Sequence, residues 1–304
     1  IDLYMAIGYA ECSANELMNQ PNGSYQEIFH RVSGKLSYAK SHRYTAQEIA
    51  VLNAQTQEEH ERECIVCGRS DRLVSENKCE VCDALEVLAN DIIEKDFIVI
   101  LSDKPAEKAL ILPGNYYMLM ENREEVRTRM QMDGSYVRCY GKNRRFTGEN
   151  LSAKLWIGDY SSAKEFTELA SASQGIKRLA VLRADVDNLG QAFVAGFEGK
   201  NTSLSRTTTF SRKLSEFFKL HINYILQNPE FSFGKDAPQR RNALIVYSGG
   251  DDVFLIGAWD DVIGFAIDLQ NSLQKYTQDT LTISAGIGLY PEKYPVSAMA
   301  YETG

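Results

Sequence analysis

Two groups of aspartates in the sequence are spaced so that they could bind divalent metal ions. Asp185 and Asp187 end a mostly apolar segment, and Asp251 and Asp252 follow two glycines between two further apolar segments. Converging carboxylates raise one another's pKa unless cations compensate, and Mg²⁺ or Mn²⁺ favours such hard oxygen ligands. Two such ions can activate an attacking hydroxyl group and stabilise a pyrophosphate leaving group. The pattern therefore predicts that three or four of these carboxylates converge to bind metal ions for such chemistry.

The residues beside these aspartates suit nucleotide binding. Gly249 and Gly250 accept positive φ and lack the Cβ atoms that would block a nucleotide. Asn188 follows Asp187 directly and could face the nucleotide as a polar group. The alternative for Gly-Gly-Asp-Asp is an exposed turn, because glycine and aspartate are common turn residues. Asp187 could serve as a second carboxylate beside Asp185 or only start a turn, and Asn188 could only cap that turn.

Four of the six cysteines form two Cys-x-x-Cys pairs, which predict a structural zinc site. The pairs, separated by eleven residues, are Cys64 with Cys67 and Cys79 with Cys82. Paired thiolates can place four sulfurs around Zn²⁺ with Zn–S distances of ~2.3 Å, leaving no open coordination position. Disulfides and buried free thiols are the alternatives, but disulfides need an oxidising compartment and nothing here indicates export. We expect Cys12 and Cys139 to be small buried hydrophobic residues.

The apolar pattern in the second half predicts how the aspartates are positioned. The order is β-α-β-β-α-β, the ferredoxin-like order, with segments at residues 178–185, 205–227, 243–247, 253–258, 260–276 and 281–289. In this order the first strand lies beside the third at the sheet centre. The Gly-Gly-Asp-Asp hairpin tip then lies next to Asp185. We predict an α+β fold with a ferredoxin-like palm over residues 175–304.

The first half predicts part of a second palm interrupted by the zinc module. A strand at residues 3–10, a helix at 25–38 and a strand at 97–101 could belong to one such unit. Thr45 with Glu48 and Ser162 with Glu165 have the spacing of helix capping boxes. The predicted domains are a partial first palm, a zinc-binding module with its helix, and a β-rich continuation with a linker; they span residues 1–60, 61–95 and 96–174.

Net charge limits the classes of partner. The 304 residues carry 41 acidic and 33 basic side chains, a formal charge of −8, so any polyanion must meet a local basic patch. The candidate patch interleaves basic and aromatic side chains: Arg138, Lys142, Arg144 and Arg145 with Tyr136, Tyr140 and Phe146. Such a composition suits RNA phosphates with base stacking, and a solvated loop is the equal alternative.

Other function classes lack their signatures. The sequence has no P-loop, no Gly-x-Ser-x-Gly elbow and no His followed by Asp. No apolar run reaches the ~18 residues of a membrane span, and no signal peptide is recognisable, so we expect a cytoplasmic protein. The chain begins at Ile1 within a pattern, which indicates an internal fragment of a longer protein.

Several of these motifs together resemble a known family. Residues 176–190, IKRLAVLRADVDNLG, and 247–254, YSGGDDVF, are similar to the catalytic palm of the large subunit of type III CRISPR effector complexes of the Csm type. The Cys-x-x-Cys pairs resemble that family's zinc module. The segment Ser13-Ala-Asn-Glu-Leu17 resembles the end of its first palm.

The resemblance implies an activity. In that family two palms face each other, ATP binds at the Gly-Gly-Asp-Asp palm, and cyclic oligoadenylates are made when target RNA is bound. It implies nucleotidyl transfer with Asp185, Asp251 and Asp252 as catalytic metal ligands and a nucleotide contact for Ser248. It also implies other complex subunits, guide RNA and target RNA as partners. The family's N-terminal His-Asp nuclease domain is not matched here, and neither are much of the first palm and the C-terminal helical domain.

Two other functions fit parts of the pattern. A diguanylate cyclase-like enzyme would use GTP, but its usual signature has Glu-Phe after the glycines and first acid, where this chain reads Asp-Val-Phe after Asp251. A non-catalytic scaffold palm would bind RNA or partner subunits without turnover. Competition between ATP and GTP, and Mg²⁺-dependent ATP binding, distinguish these alternatives.

Overall fold

The computed structural model describes residues 5–18, 24–54, 62–70, 73–74, 77–145, 152–197, 203–234 and 238–304. The chain divides into two compact units. The first comprises residues 1–154 and 199–204, and the second comprises residues 155–198 and 205–304. The second unit begins before residue 175, where the sequence predicts the start of the catalytic palm. The four predicted domain ranges stay predictions.

A five-stranded sheet dominates the first unit. Its strands are β1 (Phe97–Leu101), β2 (Leu110–Leu112), β3 (Tyr116–Glu121), β4 (Tyr136–Lys142) and β5 (Ala153–Leu155), in the order β2-β3-β1-β4-β5. The helices are α1 (Ala14–Leu17), α2 (Tyr25–Ser41), α3 (Ala46–Ala54), α4 (Glu80–Glu94) and α5 (Arg123–Met132). The central strand β1 alternates between buried and half-buried residues, and Val99 packs with Val126 of α5 and Cys139 of β4. This alternation is the expected pattern for a strand with one face on a core.

One expectation for the first unit is wrong, and the predicted basic cluster is only partly exposed. Residues 5–10 form no strand, and Met5 and Tyr9 are 78% and 72% exposed. The described residues offer this segment no partner strand, and an apolar composition cannot form a ladder by itself. The basic cluster is also divided: Lys142 is buried with its ammonium bonded to the Ile92 carbonyl at 2.6 Å, and Arg144 pairs with Asp96 at 2.9 Å. Phe146 of that cluster lies outside the described residues.

The second unit contains a four-stranded antiparallel sheet. Its strands are β6 (Leu179–Val186), β7 (Ala243–Gly249), β8 (Asp252–Ala258) and β9 (Ile283–Tyr290), in the order β7-β8-β6-β9. Its helices are α6 (Phe166–Ala172), α7 (Leu189–Ala195), α8 (Leu204–Glu216), α9 (Ile222–Gln227), α10 (Trp259–Thr277) and α11 (Val296–Glu302). A π-helical turn, Phe217–His221, joins α8 to α9. None of the described helices combines the length and apolar composition that a membrane crossing requires.

The two faces of this sheet are covered by different helices. Ala180, Leu182 and Ala184 of β6 pack in one core with Phe218 of the π-helical turn and Phe265 of α10. Alternate residues of the same strand, Leu179 and Val181, pack on the other face with Leu169 of α6 and Met299 of α11. Alternation along β6 therefore places Arg183 and Asp185 on the face of α6 and α11.

A buried ion network holds α10 to the start of β7. The Arg241 guanidinium, 2% exposed, contacts Asp268 at 2.7 Å and Asp261 at 3.4 Å, and it donates to the Phe231 carbonyl at 2.6 Å. Both carboxylates accept further bonds, including one from the Asn242 amide to Asp261 at 2.9 Å. Burying charges of this kind is costly unless they are paired and hydrogen-bonded.

Candidate functional site

The candidate site lies at one end of the four-stranded sheet, where β6, β7 and β8 meet. Asp185 and Asp252 are direct cross-strand partners on β6 and β8, and Asp252 is also the partner of Gly249 on β7. Direct partners in an antiparallel pair direct their side chains to the same face. The fold therefore brings Asp185 and Asp252 side by side, although 66 positions separate them in the sequence.

Asp251 occupies the tight turn between β7 and β8. The turn consists of Gly250, whose φ is +69°, and Asp251. A glycine with positive φ at the first central position is the signature of a type II′ hairpin turn, whose twist matches the flanking strands. The sequence folds locally in this way because only glycine adopts that conformation at little energetic cost.

The carboxyl group of Asp185 experiences the charges of its neighbours. Its partial burial raises its pKa, and the negative charges of Asp251 and then Asp187 raise it further. Because the charge of Asp251 acts on Asp185, these carboxylates interact electrostatically. A divalent cation would relieve the repulsion. Asp185, Asp251 and Asp252 supply oxygen donors of the kind that Mg²⁺ and Mn²⁺ prefer, so the donor set fits such an ion.

Asp187 has a different environment from the other three aspartates. Its two carboxylate oxygens accept bonds from the hydroxyl groups of Thr282 and Ser284, each at 2.6 Å. These bonds lower the pKa of Asp187, and its backbone amide donates to the Thr282 carbonyl at 2.9 Å. Asp187 therefore ties the end of β6 to the start of β9. Asn188 follows in the left-handed region with φ of 54° and begins α7 without a side-chain cap bond.

Thr282 and Ser284 were not recognised in the sequence as neighbours of the site. Ser284 is the cross-strand partner of Asp185, so it completes a row of Gly249, Asp252, Asp185 and Ser284 across the sheet. The alternation of β9 could have indicated which of its residues share this face. No local motif marks either hydroxyl group as a partner of Asp187.

Ser248 connects the hairpin to the π-helical turn. Its hydroxyl group donates to the Phe218 carbonyl, and its side chain faces Gly158, where an added Cβ would lie 2.9 Å from the Ser248 Cβ. A carbonyl of a π-helical turn is available for such a bond because the regular helical ladder is interrupted there. The nucleotide contact expected of Ser248 stays a prediction.

The four cysteines form a compact cluster. Their sulfur atoms all lie within 4.8 Å of one another, and the Cys67 and Cys79 sulfurs are 3.7 Å apart. Tetrahedral zinc with Zn–S of ~2.3 Å requires sulfur separations of about 3.8 Å, so the cluster fits the ion. Among the described residues, it is the only group of three or more His, Cys, Asp or Glu ligand atoms gathered this closely. The aspartates of the sheet are adjacent without converging in this way.

The local fold gives the cysteine thiols of this cluster different pKa values. The Cys79 backbone amide, followed by those of Cys67 and Val66, donates to the Cys64 sulfur and lowers its pKa to about 6. Burial raises the pKa of Cys82 to about 12. Zinc binding supplies the positive charge that keeps all four ligands as thiolates. Gly68, with φ of +70°, makes the turn after the first pair, and Cys82 lies in the first turn of α4.

Comparison with known sequences gives consistent matches. A family model described as Cas10/Cmr2, second palm domain, matches residues 178–304, and one described as Csm1 subunit domain B matches residues 1–55. A Mycobacterium tuberculosis protein named CRISPR system single-strand-specific deoxyribonuclease Cas10/Csm1 (subtype III-A) is 42% identical over 99% of this chain and 40% of its own length. A protein of the same name from Enterococcus italicus is 39% identical over 100% of this chain and 39% of its length. The chain thus spans about two fifths of these relatives.

Solved structures match the fold. A Csm1 chain from the Csm1-Csm4 subcomplex of a type III-A interference complex has a TM-score of 0.72 at 24% identity, covering 96% of this chain and 37% of that one. A Csm1-Csm4 cassette with one ATP has a TM-score of 0.68 at 22% identity, over 95% and 37%. A cassette with cA4 gives 0.67 at 23%, over 96% and 37%.

Proposed function

This chain belongs to the Cas10/Csm1 family of large subunits of type III CRISPR effector complexes, and we propose that its second unit is the palm of a nucleotidyltransferase. The proposed reaction converts ATP into cyclic oligoadenylate. The palm is ferredoxin-like and carries its catalytic residues on the Gly-Gly-Asp-Asp hairpin. The observation that carries the proposal is the pairing of Asp185 with Asp252 beside the Gly250-Asp251 turn. Solved structures of similar Csm1 chains with ATP and with cA4 support adenine nucleotides as substrates.

The reaction is a transfer between two ATP molecules. The 3′-hydroxyl group of one attacks the α-phosphate of the other, so that a phosphodiester bond forms and pyrophosphate leaves. Asp185, Asp251 and Asp252 are the residues that would hold Mg²⁺ or Mn²⁺. When bound, such ions supply positive charge to the phosphate oxygens and lower the pKa of the attacking hydroxyl group.

The chain itself positions the catalytic aspartates and leaves space for the nucleotide at the hairpin. Gly250 has open space over the hairpin, because an added Cβ there would meet nothing within 4 Å, and Gly249 beside it also lacks a Cβ. The paired strands fix Asp185 against Asp252. Asp187 holds β6 to β9, and Ser248 holds the hairpin to the π-helical turn, so both fix the edges of the site. We include Asn188 and Ser248 as nucleotide-facing groups in the proposal.

Zinc and partners complete the proposal. Cys64, Cys67, Cys79 and Cys82 would hold a structural Zn²⁺ that stabilises the start of α4. The expected partners are other subunits of the effector complex, guide RNA and target RNA, in the cytoplasm. A subunit corresponding to Csm4 is supported by the Csm1-Csm4 structures that this chain resembles.

The test replaces the hairpin acids in the full-length subunit within its complex. We expect Asp251→Asn with Asp252→Asn to reduce oligoadenylate formation by at least about a thousandfold, because the isosteric amides cannot neutralise divalent cations. Products from ATP, target RNA and Mn²⁺ are identified by mass spectrometry. The control is Asp279→Asn, which removes a charge from an exposed turn of the same unit.

Two results would overturn the proposal. Synthesis by the double variant at the wild-type rate would remove the hairpin from the reaction. GTP that outcompetes ATP would favour the diguanylate cyclase-like alternative, and a wild-type complex without Mg²⁺-dependent ATP binding would favour the scaffold.

A further inference from the structure

Lys219 lies beside the Gly-Gly-Asp-Asp hairpin and has no partner among the described residues. It is half-buried in the π-helical turn between Phe218 and Leu220, and the described residues offer its ammonium group neither a hydrogen bond nor an ion pair. Lys213, two turns earlier on α8, instead pairs with Glu216 at 2.9 Å. Its positive charge is therefore available to an anion bound at the hairpin.

The side chain of Lys219 runs along Gly249. A Cβ added to Gly249 would lie 3.3 Å from Cε of Lys219, so the ammonium group, one bond further, is next to the first glycine of the hairpin. The bond from Ser248 to the Phe218 carbonyl fixes the adjoining residues of both elements. The hairpin and Lys219 are thus held as one local arrangement.

The π-helical turn determines that the Lys219 side chain extends toward the end of β7. A π-helical turn widens the helix and changes which residues face the sheet, and such turns occur frequently at functional sites. Here Phe217 and Phe218 are fully buried in the core, while Lys219 reaches the end of β7. Gly249 has no side chain that would separate the ammonium group from a molecule bound on the hairpin.

The charge distribution then specifies the ligand. The three aspartates and a bound triphosphate together carry more negative charge than two divalent cations neutralise, so the occupied site would keep a net negative charge. Lysine acts as a compact positive charge that commonly binds phosphate. We propose that the Lys219 ammonium group binds a non-bridging phosphate oxygen of the nucleotide held at the Gly-Gly-Asp-Asp hairpin, an assignment that rests on the proposed function.

The alternative role for Lys219 is structural. A lysine stem can cover apolar surface while its charge remains in water. Lys219→Met keeps the apolar stem and removes the charge, whereas Lys219→Arg keeps a charge. Lys213→Met is the matched control, because it removes a charge from the same helical segment away from the hairpin.

The experiment measures binding of ATP and of adenosine to the full-length protein with Mn²⁺. We expect Lys219→Met to weaken ATP binding by about ten- to a hundredfold and to leave adenosine binding unchanged, because only ATP carries phosphates. Lys219→Arg should recover much of the loss, and Lys213→Met should match the wild type. Thermal unfolding of each variant accompanies the binding data.

The outcomes separate this inference from the proposed function. If the wild type binds ATP and Lys219→Met binds it equally well, the lysine assignment is wrong while the proposed function stands. An equal loss of ATP and adenosine binding shows a structural role and also overturns the assignment. A wild-type protein that binds no ATP overturns both.

Discussion

Arg241 lies in the interior of the second unit between two carboxylates of α10, Asp261 and Asp268. Its Nε atom has no partner among the described residues, so the network is already incomplete on one side. Removing one member of such a buried set leaves an uncompensated charge and costs about 3–5 kcal/mol. The network therefore specifies the position of α10 more than it adds net stability.

Gly264 permits this arrangement, and replacing it tests the network. A Cβ at Gly264 would lie 2.3 Å from Nη1 and 2.7 Å from Cζ of Arg241. We expect Gly264→Ala to displace the guanidinium group and to lower the free energy of unfolding by about 3 kcal/mol. Gly190→Ala is the control, because an added Cβ there meets nothing within 4 Å and alanine favours a helix. Denaturant titration measures both, and equal stability of the two variants would contradict the role assigned to Arg241.

Cys139 and Cys12 should differ in thiol reactivity. Cys139 is 1% exposed, and burial raises its pKa to about 12, whereas Cys12 is exposed. The thiolate is the reactive form, and at pH 8 very little of Cys139 is ionised. We expect iodoacetamide to label Cys12 in the native protein and to label Cys139 only after unfolding, as read by peptide mass spectrometry. Rapid native labelling of Cys139 would show that β4 is accessible. The sequence expectation for Cys12, a buried hydrophobe, is wrong because its segment has no described core to enter.

The secondary structure was predictable where apolar alternation is strong. The strand predicted at residues 178–185 is observed as Leu179–Val186, and the bonds between Thr45 and Glu48 confirm that capping box. The second box is wrong: α6 begins at Phe166, and the Ser162 hydroxyl group bonds instead to the Ala243 carbonyl at 3.1 Å. A tertiary partner there replaced the local one, as expected when side-chain bonds compete.

The candidate site was predictable only in part, because some of its contacts depend on tertiary structure that local patterns do not determine. Strand order follows from the sequence of elements, and it places Asp185 beside Asp252. The contacts of Lys219, Thr282 and Ser284 depend on register and on an irregular helix. Hydrophobic periodicity does not distinguish a π-helical turn, because its residues resemble those of any amphipathic helix.

The segment that carries Cys64, Cys67, Cys79 and Cys82 should depend on a bound metal for its local structure. Among its described residues, the buried apolar cluster consists of the cysteines with Leu73 and Val81. The hydrogen bonds of this segment include Gly68 to the Cys64 carbonyl at 2.8 Å and Val74 to the Lys78 carbonyl at 3.1 Å. For such segments, the free energy of metal binding contributes directly to the free energy of folding. We expect Cys67→Ser to speed amide exchange at Gly68 and Val74 by at least about tenfold, and the control Cys12→Ser to leave it unchanged. Unchanged exchange in both variants would mean that the segment folds without a metal.

The division of the chain into two compact units has a thermodynamic consequence. Each unit has its own sheet and its own buried cluster, around Val99 in the first and around Leu182 in the second. Units with separate cores can unfold in separate steps, and a single two-state description then fails. The zinc cluster belongs to the first unit, whereas Arg241 and Gly264 belong to the second.

We therefore expect two calorimetric unfolding transitions that respond to different changes. Removing zinc with a chelator should lower the midpoint of one transition by several degrees and leave the other unchanged, because ligand release destabilises only the unit that binds it. Gly264→Ala should lower the other midpoint, since it disrupts a network within the second unit. A single transition that moves under both changes would show that the units unfold as one cooperative structure. Zinc would then stabilise the palm strands that carry Asp185 and Asp252 through the rest of the chain.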